Sequence, residues 1–246
     1  MMRRLALAVI AAGAVTGLIA TPASASSTFS VVQPHQRYAG KTYGQWSAAW
    51  WQWAVSAPDP DSPLNDPTGE NCAVNQSGPV WFLAGTPGTS SPSCTVPAGK
   101  AILFPVITAE CSSVEKNGTT EAELRACAAN YINHATALHA SVDGTPIDLG
   151  PAGSRFRFQS PFFRICFVPD NPIYPDGGKG RSVSDGVWVL LRPLPPGQHE
   201  INFAGTISIP EATPPVNFQI SVNYHVTVAD QSSDYEEPEI PAYWRW

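Results

Sequence analysis

Charge is what this chain has least of. Asp, Glu, Lys and Arg make up 14% of its 246 residues, and the acids outnumber the bases to give a formal net charge of −6. No run of Lys or Arg supplies the basic footprint that nucleic acid needs, which excludes nucleic-acid binding as a class. No C-x-x-C pair is present, so zinc-ribbon and thioredoxin chemistry lack their ligands. There is no G-x-S-x-G and no H-E-x-x-H, and Gly177-Gly178-Lys179-Gly180 stops short of a phosphate-binding loop. After the first twenty residues no stretch is long and apolar enough to cross about 30 Å of hydrocarbon. Internal repeats and low-complexity tracts are missing as well.

What is present begins with an export signature. Arg3 and Arg4 precede an apolar or small-residue run from Leu5 to Ala20, and Ala23-Ser24-Ala25 offers the small-x-small pattern read by signal peptidase. Residues 1–25 are therefore expected to be a signal peptide cleaved after Ala25. The mature chain is expected outside the cytoplasm, extracellular or in the cell envelope, without a membrane span. That segment carries two bases and no acid, so its removal leaves a still more acidic protein.

Proline (25) and glycine (19) are plentiful and aromatics reach 10%, which favours a β-rich domain with many turns over a helical bundle. Phe218, Ile220, Val222, Tyr224, Val226 and Val228 alternate with polar residues, the pattern of one half-buried sheet wall. Val80–Leu83 and Ala101–Ile107 are unbroken apolar runs, as for strands covered on both faces, with Pro105 marking an edge or bulge. Two helices are expected, over residues 43–56 and 121–139, each opened by a capping-box pattern: Thr42-x-x-Gln45 and Thr120-x-x-Glu123. Leu124, Ala128, Tyr131, Ala135 and Leu138 make a helical stripe in the second. The predicted fold is mainly β: an antiparallel β-sandwich or jelly-roll-like domain over residues 26–229, decorated by these helices, with an acidic and aromatic tail over 230–246.

Five cysteines in an exported chain should oxidise where geometry permits. The pairs Cys72–Cys94 and Cys111–Cys127 each close a short loop and are the favoured disulfides. Cys127 sits beside the helical stripe, and Cys166, on an apolar background, is left as an inert buried thiol.

Candidate functional residues are few. His134 and His139, five apart on the expected helix, point about 140° apart and cannot share a metal there. His199 and His225 fall in separate strand patterns, so no metal site is predicted, and no cofactor. The polar loop carrying Asp170, Asp176, Gly177, Gly178 and Asp185 lacks calcium-loop spacing. Glu110 ends an apolar strand, where partial burial would raise its pKa toward that of a general acid, with Glu115, Asp143 or Asp148 as the second carboxylate. Arg155, Arg157 and Arg164 concentrate positive charge and would clamp an anion if their strands adjoin. Eight tryptophans are unusual. Trp46, Trp50 and Trp53 share a helical face, while Trp51 lies off it and is the candidate for an exposed binding ring.

These features point first to a secreted binding protein that takes a glycan or a protein ligand on an aromatic surface. An extracellular hydrolase using a carboxylate pair that includes Glu110 is the alternative, and a structural envelope or matrix component the third.

Overall fold

The computed structural model describes residues 29–230. The expected leader over 1–25, and all but the first residue of the expected tail, lie outside the described residues. The chain folds as a mainly β protein of two sheets with two α-helices.

The first sheet holds β1 (Val80–Phe82), β4 (Ala101–Ser112), β9 (Gly178–Leu191), β7 (Arg157–Gln159) and β8 (Phe163–Phe167); β4 and β9 are its long central pair, and both β7 and β8 hydrogen-bond β9. The second sheet runs from β2 (Gly88–Ser90) and β3 (Ser93–Val96), both against β11 (Val216–Val228), to β10 (Gly197–Ile209), β5 (Ala135–Val142) and β6 (Thr145–Pro146). The long pairings are antiparallel. The short pairings β1·β4, β2·β11 and β3·β11 are parallel additions to this antiparallel frame. Burial in β11 alternates from Ile220 to Val228 as its sequence pattern requires.

The two sheets meet where Phe104 of β4 stacks on Phe203 of β10. Next to this contact a Cβ on Gly205 would come within 2.9 Å of Ile107 Cβ and 3.0 Å of Val106 O, so glycine sets how closely the sheets approach. The ladder between β4 and β9 shifts register between Pro105 and Ile107. Proline has no N–H to donate, and the irregularity absorbs that loss.

Helix α1 (Tyr43–Ala54) has the expected capping box: Gln45 N–H donates to Thr42 Oγ1 and Thr42 N–H to Gln45 Oε1. It lies on the first sheet against β7, β8 and β9, with Ser47 Oγ 3.3 Å from Ser184 Oγ. Trp46, Trp50, Trp51 and Trp53 are each 6% exposed or less. Trp50 packs edge-on to Trp51, Trp53 and Trp188, and its indole N–H donates to Leu83 O. The helix is thus buried around most of its circumference.

Helix α2 (Glu121–Asn133) also opens on its capping box, but ends at residue 133. Ala135 and Leu138, which extend the helical stripe in sequence, belong instead to β5, paired with β10. Leu124 and Ala128 of α2 pack with Cys111 and Val183 on the face of the first sheet opposite α1.

The two disulfides are Cys72–Cys94 and Cys111–Cys127. Closing loops of this length contributes about 3 kcal/mol each in the chain-entropy account. Cys166 is exposed rather than buried, because it occupies an outward position of β8 between buried Ile165 and Phe167.

Candidate functional site

β1 pairs with β4 only over Ala101–Leu103, and Leu83 N–H adds one more bond to Leu103 O. Among the described residues no strand continues that pairing, so from Phe104 onward β4 keeps a free edge on the side away from β9. Along this edge lies a cleft of about 440 Å³. Pro105, Thr108, Ala109 and Glu110 of β4 line it. Trp50 and Trp51 form one wall, while Ile207 of β10 with Phe218 and Ile220 of β11 form the other. The cleft therefore opens where the sheets diverge beyond the Gly205 contact. Its size is that of a ligand pocket, and its walls are mainly apolar.

Trp51 is not the exposed platform that its off-stripe position suggested. It is 6% exposed, and its indole N–H donates to Thr108 Oγ1 at 3.2 Å while Thr108 Oγ1 donates to Asp185 O at 2.9 Å. It is a fixed wall of the cleft, held to β4 through Thr108.

The polar end of the cleft is Glu110. The residue is 9% exposed, one carboxyl oxygen (Oε2) accepts from the Ser182 hydroxyl, and the other (Oε1) has no donor among the described residues. The turn after β4 closes through Asn117 N–H donating to Ser112 O and Ser112 N–H donating to Asn117 Oδ1. That turn brings Glu115 back beside Glu110, and both line the cleft. Burial raises the Glu110 pKa well above the ordinary carboxylate range; the Glu115 carboxyl raises it further by hydrogen bonding and repulsion, and the Ser182 hydroxyl only partly opposes them. A carboxyl so placed is held toward its protonated form. Glu115, half-buried, accepts from Ser112 Oγ at 2.7 Å and is the member nearer solvent.

The other acidic candidates are engaged elsewhere. Asp143 Oδ2 lies 2.8 Å from His199 Nδ1, whose Nε2 is 2.9 Å from Pro195 O, so this histidine is a satisfied structural residue. Asp148 pairs with Arg155 at 2.6 Å on the surface.

The three arginines do not share a face. Arg157 grips Asp185 with two nitrogens, Nε at 3.1 Å and an Nη at 2.8 Å, and also donates to Ala129 O. Arg164 stands exposed on β8, remote from both the Asp148 and the Asp185 pairs in its contacts, beside Cys166, Lys179 and Arg181. No group of three or more His, Cys, Asp or Glu side chains with metal-binding geometry occurs among the described residues. No helix among them is long and apolar enough to cross a membrane.

Sequence reasoning singled out Glu110 and Trp51, and both line the cleft. It missed the apolar walls from β10 and β11, which are assembled from distant segments. The Glu115 contact had a readable signal: Asn117-Gly118, a turn dipeptide placed just after the strand.

No protein-family model matches the chain, and no curated protein matches it. Among solved structures, that of PbICP-C in complex with falcipain-2 aligns with 60% of this chain and 98% of its own, at 14% identity and a TM-score of 0.22. A superposition this loose carries no argument.

Proposed function

We propose that this chain is an exported binding protein whose site takes an extended, apolar segment of a protein ligand. The observation that carries this reading is an apolar cleft laid along the free edge of β4. A strand edge offers unpaired backbone N–H and C=O groups, and an added strand satisfies them while its alternate side chains enter pockets on the wall. Trp50, Trp51, Ile207 and Phe218 supply such a wall. The disulfides and the mainly β fold are compatible with a secreted protein. A glycan ligand draws less support, since the tryptophans expected to stack on sugar rings are buried and the cleft walls carry few polar groups.

The test is a synthetic array of capped peptides with alternating apolar residues, read by tryptophan fluorescence and by hydrogen exchange. Binding should slow amide exchange in residues 106–110 and shift the emission of Trp51, and Ile207→Arg should abolish both. Peptides that bind equally well to Ile207→Arg, or that leave residues 106–110 unprotected, would sink the proposal.

A second reading, hydrolysis, is favoured by two neighbouring carboxyls, Glu110 and Glu115, lining one end of the cleft. With Glu110 held toward its protonated form, the two would act as a dyad in which the ionised member activates water while the other donates. Peptide cleavage by the wild type that is lost in Glu115→Gln would favour this reading over binding alone.

A further inference from the structure

A second hollow lies on the outer surface formed by β8 and β9, away from the cleft. It is lined by Arg164, Cys166, Lys179 and Arg181, with Gln52 of α1 at one side. The ladder register puts Arg164 directly opposite Arg181, and Cys166 directly opposite Lys179. All four side chains are exposed, because the intervening residues Ile165 and Phe167 point into the core. Like charges facing each other across a strand pair repel, and here a third cation stands one step along the same face. None of the three forms an ion pair among the described residues, in a chain whose net charge is −6.

The backbone beneath these cations is pinned from both sides. Gln52 Nε2 donates to Arg164 O at 2.9 Å, and the Arg181 backbone N–H donates to Ser113 Oγ at 3.0 Å while Ser113 N–H donates to Arg181 O at 2.9 Å. The Arg181 guanidinium also rests over the Phe162 ring, 4.2 Å from its centroid, which orients it without neutralising it. We propose that this hollow is an anion site for one sulfate or phosphate group, with Arg164, Lys179 and Arg181 as its donors. Cross-strand neighbours stand about 5 Å apart and diagonal ones about 7–8 Å, a spacing that lets three long cationic side chains converge on a single tetrahedral oxyanion.

The test uses the full chain with inorganic sulfate and inorganic phosphate, and the corresponding phenyl monoesters, as probes in calorimetric titration. Saturable one-to-one binding is expected, weakened about tenfold in Arg164→Gln or Arg181→Gln and lost in the double variant, while Cys166→Ser binds as the wild type does. Tighter binding of the monoesters assigns the site to an ester headgroup, and tighter binding of the inorganic ions assigns it to the free anion.

Cys166 supplies an independent readout. Its thiolate attacks a sulfur of an aromatic disulfide reagent, the reagent's S–S bond breaks, and an aryl thiolate leaves, the thiol proton passing to solvent. A dianionic reagent should react faster than a neutral one, sulfate should slow only the dianionic reagent, and the preference should vanish in the double variant. Arg164→Gln should melt no lower than the wild type, since it relieves the repulsion from Arg181 without removing the Arg181–Phe162 contact. Absence of saturable heat, the same preference for the dianionic reagent in wild type and double variant, or a fall in Tm in Arg164→Gln would each overturn the assignment.

Discussion

Two buried carboxylates on adjacent strands have opposite surroundings. Asp185 of β9 is 1% exposed and is held by Arg157 and by Gln159 Nε2, which donates to it at 3.2 Å. Glu110 of β4, one ladder step away, is 9% exposed and meets only a serine hydroxyl and another acid. A buried charge with a bidentate cation is part of the scaffold, because its desolvation is offset locally. A buried acid without a cation retains its proton, and it sits where a cleft reaches it. Neighbouring positions in one sheet thus divide into an ion pair that holds the fold and a proton that the site can use.

Removing the cation should break this contrast most severely. Arg157→Leu leaves Asp185 buried without its ion-pair partner and should destabilise the protein by about 3–5 kcal/mol in urea denaturation. A loss under about 1 kcal/mol would mean that water reaches Asp185 once the guanidinium is gone.

Glu110 should respond in the opposite sense. Its folded-state pKa lies well above the ordinary 4.5, so between those values the folded protein binds a proton that the unfolded chain has released. Stability from this group is therefore fully present below pH 4.5 and falls as pH rises through the folded value. Glu110→Gln, which mimics the protonated acid, should flatten that decline and melt above the wild type in alkaline buffer. A variant less stable than the wild type at high pH would show that burial does not penalise the ionised Glu110 carboxylate.

Glu115→Gln sharpens the assignment within the pair. Removing its repulsion should narrow the pH range over which stability declines, with the wild-type and variant curves meeting at low pH. Identical curves would assign the whole effect to burial.

The smallest effect belongs to a surface counterpart. Arg155 and Asp148 are 52% and 69% exposed, so Arg155→Ala should cost no more than about 0.5 kcal/mol, and less in high salt.

The parts of this fold that were legible are those whose local pattern and tertiary role agree. The alternation in β11 is one, and the capping boxes at Thr42 and Thr120 are others. Where tertiary pairing overrides local preference, the reading failed. Ala135 and Leu138 fit a helix by spacing and by intrinsic preference, and the ladder to β10 overrides both. β2, Gly88-Thr89-Ser90, carries no apolar alternation and forms as a strand through its pairing with β11. Trp51 was read from a single helical wheel as outward-facing. It is enclosed because α1 has one side on the sheet and another on the cleft, and a wheel records angle without recording what stands opposite.

The two disulfides join residues 22 and 16 positions apart, and all four sulfurs precede Cys166. Each bridge therefore joins cysteines that are consecutive in the chain, and the two closed loops neither overlap nor nest. In a chain threaded N-terminus first into an oxidising space, every cysteine would find its partner among those already delivered or next to arrive, and Cys166, the last in order, would be the one left without a mate.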